Sequence, residues 1–473
     1  MRKYWMQITG GSLGLIFVLS MLFANQLGLD NNQVWGMRRY VIFFAGIFLL
    51  IISIFYRENN FIGKMIETNE GKLKLSAIGL NIFIFLIYLW YASVGKWEFT
   101  YNETSYFDLL ASAFRQGQTA LQVQPDPALL TFTDESLYEP ANREGIPVLW
   151  DATLYEGKYY LYWGPAPALV LTFVKFFYAG EIGDRFLTLF FISGTLIFLN
   201  LIIFDLRKTY FNHIPNWAVL FAIVFAGLVN PMPYILVEGR IYEAAIIAAQ
   251  FFLITGFYFL FTVFNKPNLL RIFLAGLFFA FAVGSRTTLL FAVVFTALIF
   301  LFWVIKLQKE KLISFIIAFA FPLAMGAIAY AAYNYARFDS LTEFGYRYQL
   351  TSYNLYEKLD ETFSLSYIPP NFYKLLFNPL ERREAFPYIF PTRWDGPDWL
   401  ESNRGFYLLK AEEITGLLIS SPFLLFIFFA KTQSDKKNYW VNLSLVGSSI
   451  LLFITLQAFF FTAMRYLLDL IPT

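Results

Sequence analysis

Four carboxylates stand just beyond apolar segments and are the candidates to accept a proton, Glu103 and Asp108 first, with Asp151 and Glu238 as alternatives. General-base catalysis draws on His, Asp, Glu, Lys, Tyr or Cys. Cys is absent, and the single His213 lies in a basic loop, DLRKTYFNHIP over 205–215. Thiolate nucleophiles, multi-His metal sites and Ser-His-Asp triads are therefore close to excluded, which leaves Asp or Glu as the base. Glu103 precedes SYFDLLASAFRQ (105–116), where Tyr106, Leu109, Leu110, Ala113 and Phe114 recur at helical spacing, Asp108 and Arg115 fall off that stripe, and Gly117 follows. A carboxylate there can act as a base at the mouth of a helical bundle, or simply favour the helix start through its dipole.

A second set of residues can hold an anion. Arg240 sits with Glu238 and Glu243 in ILVEGRIYEAAI (235–246), Arg286 lies in AVGSRTTLL (282–290), and Arg465 and Asp469 lie in MRYLLDLIPT (464–473). Arg337, Glu343 and Arg347 are interleaved with aromatic rings in YNYARFDSLTEFGYRYQL (333–350). Asp151, Lys158 and Tyr160 fall in WDATLYEGKYYLYWGPAPAL (150–169), which reads as strand, E-G-K turn and a helix opened by Pro165 and Pro167. Each has a plainer alternative: an aromatic belt for the tyrosines, a snorkelling Lys158, a Glu–Arg clamp at 238–243, and an i,i+4 ion pair for Arg465 and Asp469. Arg286 has no carboxylate within its own segment, so its partner is a distant residue or an anionic ligand.

What must position these residues is a membrane protein. Of 473 residues 58% are hydrophobic, 21% aromatic and only 15% charged, more apolar surface than a soluble core consumes. The net charge of +2, with no long basic block, argues against nucleic-acid binding. At ~20 residues per crossing, apolar segments near 8–29, 40–56, 75–95, 185–204, 216–237, 241–264, 269–287, 288–305, 312–333, 412–430 and 439–462 predict an all-α polytopic fold of about eleven transmembrane helices. The amino terminus, basic and then apolar without an A-x-A-like site, reads as a retained signal anchor. Residues 163–178 are too short to cross upright and are predicted to form a juxtamembrane or re-entrant half-helix. With that segment not spanning, most basic loops fall on one side, which is then cytoplasmic together with the N-terminus; Arg38 and Arg39 are the exception. Two long loops, 96–162 and 334–411, then share the outer face. The domain reading is a two-helix extension over 1–74, a core module over 75–333, the second loop over 334–411 and C-terminal helices over 412–473.

The stretch from Asn102 to Gly117, the string GKYYLYWGPAPAL, Arg286 in GSRTT, YNYARFDSLTEFGYRYQL and RYLLDLIP, in that order over roughly 98–473, resemble the GT-C superfamily of polytopic glycosyltransferases, more closely its bacterial members. Where better-known branches carry an acidic residue, often an Asp-Glu pair, this chain has Asn102-Glu103. Relatives of this kind usually continue beyond the equivalent of Arg465 to Pro472, so a short or truncated member is expected. The resemblance implies a bacterial inner-membrane enzyme that moves a sugar from a polyprenyl-phosphate donor to a glycan or lipid acceptor on the extracytoplasmic side. Because phosphate leaves without protonation, one carboxylate suffices as base in an inverting displacement, with Arg or Lys steadying the phosphate. No cofactor is implied beyond a divalent metal that some such enzymes use. The competing readings are a transporter or flippase for lipid-linked sugars, and a non-catalytic polysaccharide-assembly protein.

Overall fold

The computed structural model describes residues 2–30, 35–56, 61–99, 103–132, 135–229, 231–384, 386, 388–393, 396–400, 412–429 and 439–469. Asn102, one of the residues carrying the resemblance, lies outside them, as do residues 470–473. The described chain is mostly helical, with two short antiparallel hairpins, Thr153–Tyr155 with Lys158–Tyr160 and Leu380–Arg382 with Ile389–Pro391. It divides into two compact units, Met1–Ile82 and Phe83–Thr473.

In the first unit the Arg2–Leu22 and Met37–Phe55 helices pack against each other. Arg39, a basic residue that fits the charge pattern poorly, is buried in an ion pair with Asp30, Nε to Oδ2 2.8 Å. The pair removes the cost of an isolated guanidinium at that depth.

Six helices among the described residues are long and apolar enough to cross a membrane: Asn69–Ala92, Asp184–Thr209, Ile241–Asn265, Thr287–Leu307, Lys309–Phe338 and Tyr439–Gln457. Four shorter apolar helices accompany them, Gln7–Leu22, Arg39–Phe55, Asn216–Leu228 and Leu269–Ser285. Five of the eleven expected spans therefore do not form helices of spanning length among the described residues: 8–29, 40–56, 216–237 and 269–287 hold only the shorter helices, and 412–430 holds none of that kind. The 216–237 segment stops being helical at Leu228, ahead of Pro231 and Pro233, and resumes only as the single turn Ile235–Glu238. The 412–430 segment holds a four-residue helix, Leu417–Ser420, interrupted where Pro422 cannot donate a backbone bond.

The Ile241–Asn265 helix is apolar on every side and is the most enclosed element, packed by Asp184–Thr209 and Leu269–Ser285. Uniform apolarity is what a helix surrounded by other helices requires. The Leu312–Phe338 helix is the opposite case: Ile313, Ile317, Phe321, Met325 and Ile328 form an exposed stripe down one flank. An uncovered aliphatic stripe of that length suits lipid and not water. This helix runs through Arg337 to Phe338 and is closed by Asp339 in the left-handed conformation, φ 51°. The loop expected from residue 334 thus begins at 339.

The predicted hairpin and half-helix are present. Thr153 pairs with Tyr160 and Tyr155 with Lys158. The turn has Glu156 at φ 47° and Gly157 at φ 69°, the two positive values a type I′ turn demands. The half-helix, Ala166–Val174, has nine residues, so it rises roughly 14 Å, under half the thickness of a hydrocarbon core.

Candidate functional site

The second unit contains a cavity of about 1000 Å³. Its wall is assembled from helix ends: the start of Ile241–Asn265, the junction between Leu269–Ser285 and the helix that follows, the end of Leu312–Phe338 and the end of Tyr439–Gln457. Residues flanking the hairpin, Trp150, Asp151 and Tyr162 to Gly164, close it together with the 340–363 loop and Met464–Asp469. Gly164 lets the half-helix approach: a Cβ there would lie 2.0 Å from the Gly284 carbonyl oxygen, so the backbone before the half-helix sits directly on the one before Arg286.

Asp151 is the only one of the four candidate bases on this wall. It is 7% exposed, and it has a left-handed backbone, φ 57°, with its N–H donating to the Leu350 carbonyl at 2.9 Å. Tyr242 donates its hydroxyl to Asp151 Oδ2 in a short hydrogen bond. The other oxygen, Oδ1, is buried and makes no hydrogen bond of sound geometry. Burial raises the Asp151 pKa above the ordinary aspartate range, partly offset by the hydroxyls of Tyr242 and Thr351 and by the charges of Arg465 and Arg240. A carboxylate of raised proton affinity on a cavity wall has the chemistry of a general base.

The other three carboxylates are engaged elsewhere. Asp108, expected to lie off the apolar stripe, is buried with Phe107, Leu110, Ala111 and Ala113 in the Tyr106–Arg115 helix. The stripe is rotated because Lys175, just after the half-helix, draws Asp108 inward, Nζ to Oδ1 2.8 Å, and the Ile182 N–H adds a bond at 3.1 Å. Glu103 does not cap the helix that follows it. That function belongs to Asp184, which accepts from the Thr104 hydroxyl at 2.6 Å and from the N–H groups of Tyr106 at 3.0 Å and Phe107 at 3.3 Å. Glu103 instead stands 3.9 Å from Arg185 and 4.0 Å from Arg240. Glu238 pairs with Arg240 Nη2 at 3.1 Å.

Four of the predicted anion-binding arginines, Arg240, Arg286, Arg347 and Arg465, are on the cavity wall, against three carboxylates, Asp151, Glu343 and Glu412. Arg286 finds its distant partner in Asp469, Nη1 to Oδ2 2.9 Å, and lies over the Tyr466 ring, 4.7 Å to the centroid. Gln250 donates to the other Asp469 oxygen at 3.0 Å. The expected i,i+4 pair between Arg465 and Asp469 is therefore not formed: Met464–Asp469 is a 3₁₀ turn whose two charged ends face different partners. Arg465 is forked onto Glu412, with both Nη to Oε distances 2.8 Å, and lies 3.7 Å from Glu243. Arg347 meets Glu343 through Nε at 3.0 Å, which leaves its terminal amino groups as further donors.

Four predicted ligand contacts do not line the cavity: Asp469, buried in its pair with Arg286, and Arg337, Tyr160 and Lys158. Arg337 is buried at its helix end, donating to the carbonyls of Leu161 and Tyr333 and to Asn334 Oδ1, with its guanidinium 3.8 Å from the Tyr333 ring centroid. It fastens the hairpin to the helix and has no face turned to a ligand. Tyr160 is buried edge-on against Phe338, and Lys158 is exposed at the hairpin turn. Tyr242 and Glu412 went unrecognised in the sequence. Tyr242 stood in view between Arg240 and Glu243, as one tyrosine among thirty. For Glu412 no local pattern announces a partner in Arg465.

Among the described residues no group of three or more His, Asp or Glu side chains is arranged to hold a metal ion. Compared with known protein families, curated proteins and solved structures, the chain matches none.

Proposed function

We propose that the chain is a GT-C-type glycosyltransferase of the bacterial inner membrane, working at the extracytoplasmic mouth of its helices with its N-terminus in the cytoplasm. The observation that carries this reading is the cavity at the helix ends, in which the buried carboxylate of Asp151 shares one wall with four guanidinium groups and several aromatic rings. A sugar linked to a polyprenyl phosphate needs this combination: cations for the phosphate, ring faces for the sugar, and one base for the acceptor.

In the proposed reaction the acceptor hydroxyl attacks the anomeric carbon as Asp151 takes its proton. The new carbon–oxygen bond forms on the face opposite the departing phosphate, and the configuration inverts. The bond from the anomeric carbon to the phosphate oxygen breaks with its electron pair going to phosphate. Arg347, whose only ion pair is through Nε to Glu343, is the foremost phosphate contact, and Arg286 and Arg465, held in place by Asp469 and Glu412, present their guanidinium groups to the cavity. Asp151 replaces Glu103 and Asp108 as the leading base, because neither of those lines the cavity.

The test is to incubate purified protein with a panel of polyprenyl-phosphate sugars and acceptors, beside its Asp151→Asn variant. Covalent product from the parent and none from the variant is the expected result. Movement of labelled lipid-linked sugar between leaflets with no covalent product would overturn the reading in favour of a flippase.

A further inference from the structure

A second cavity, of about 700 Å³, lies between the hairpin, the 3₁₀ turns Pro127–Thr131 and Glu135–Tyr138, and residues 348–356. Its wall carries four tyrosines, Tyr138, Tyr155, Tyr348 and Tyr356, and its only charged residues are Glu135 and Glu156. Tyr348 lines the larger cavity as well, so one ring forms part of both walls.

The rings pack against one another. Tyr138 and Tyr356 are parallel to within 2° with centroids 5.3 Å apart, Tyr138 and Tyr348 are 5.6 Å apart, and Tyr155 and Tyr348 4.8 Å. Tyr138 is anchored by its hydroxyl, which donates to the Leu154 carbonyl at 3.0 Å. Tyr356 donates to Glu135, which fixes that carboxylate at the edge of the platform.

Two ligand classes fit poorly. An anion would meet two carboxylates and no cation among the lining residues, the nearby Arg347 being paired with Glu343. An organic ammonium is held in an aromatic cage by rings that face one another across a gap, whereas these rings touch. A neutral polyol remains. Its C–H faces lie on the electron-rich faces of the rings, and its hydroxyls donate to the carboxylates.

We infer that this smaller cavity binds an uncharged oligosaccharide, whose chain runs past Tyr348 toward the larger cavity as the acceptor. The acceptor role rests on the transfer reading above, but the binding itself does not. The experiment therefore measures binding alone, without donor, on the full chain in detergent. The probes are maltopentaose, cellopentaose, chitopentaose and mannopentaose, with a pentameric uronate and choline as charged controls. At least one neutral pentamer should bind saturably and the uronate should not. Tyr356→Ala and the exposed-site variant Glu135→Gln should each weaken binding, by roughly tenfold for loss of one stacking ring. Should Tyr356→Ala fail to fold, Glu135→Gln still decides the matter. Binding of no neutral pentamer, tighter binding of choline, or affinity unchanged in the folded variants would overturn the inference. An absence of sugar transfer would leave it standing and count only against the transferase reading.

Discussion

Arg286 and Asp469 meet at 2.9 Å inside the second unit, joining the junction between two helices to the 3₁₀ turn after the last described one. Asp469 is fully buried and Arg286 nearly so. Truncating one member leaves the other charged and unpartnered, which typically costs about 3–5 kcal/mol, whereas replacing both with apolar residues of similar volume is often close to neutral. Asp469→Ala should therefore lower thermal stability in detergent markedly, and the double variant Arg286→Leu/Asp469→Leu should recover most of the loss. A double variant as unstable as the single one would show that the site needs the pair itself.

Asp151 gives a pH signature. Burial raises its folded pKa, so the fold prefers the protonated form. Its contribution to stability is full below the unfolded value near 3.8 and is lost as pH rises through the raised folded value. Asp151→Asn, which removes the charge, should thus be at least as stable as the parent at pH 7 while losing transfer by 10²-fold or more. Tyr242→Phe deletes a hydrogen bond that favours the carboxylate, so the acid limb of the pH–rate profile should move to higher pH. An unmoved limb would separate the limb from Asp151.

Arg337 and Arg347 occur in one 18-residue stretch of sequence yet should respond differently. Arg337→Ala breaks three bonds at a buried helix end and should cost about 3 kcal/mol of stability. Arg347→Ala removes a partly exposed pair with Glu343 and should change stability by about 0.5 kcal/mol or less, while weakening binding of a polyprenyl-phosphate sugar. Thermal melts and donor binding, measured on both variants, check the contrast.

Asp184, and not Glu103, holds the start of the Tyr106–Arg115 helix. Asp184→Ala removes three hydrogen bonds at the start of the Tyr106–Arg115 helix and should cost about 2 kcal/mol, at the upper end for loss of a cap. Glu103→Gln should retain most transfer activity. Complete loss of transfer in a folded Glu103→Gln protein would return Glu103 to the position of base.

The absence of native cysteine makes sidedness directly measurable. Single cysteines at Gln122 and Leu380 should label from outside the cell, and one at Lys309 should not. Labelling of all three from one side would contradict the proposed orientation.

These contrasts show where the amino-acid sequence is informative. The hairpin was readable from Glu156-Gly157 between tyrosine-rich arms, and the half-helix from Pro165 and Pro167 ahead of a short apolar run, since both are fixed by local chemistry. The cavity could be foreseen as charges gathering beyond helix ends. Partners could not. Asp108 with Lys175, Arg465 with Glu412 and Asp184 with Thr104 are pairs set by packing between distant segments, to which periodicity and capping rules are blind. Breaks at Pro231 and Pro422 were legible in principle but hidden by the apolar residues around them.

The left-handed backbone at Asp151 limits what evolution can install there. Among L-residues Asn and Asp enter that region most readily, with glycine the unrestricted case. A saturation library at position 151 would thus pass through two independent sieves. Backbone sterics would admit chiefly Asn, Gly and Asp, and turnover would admit Asp alone, because glutamate has the right acid on the wrong main chain.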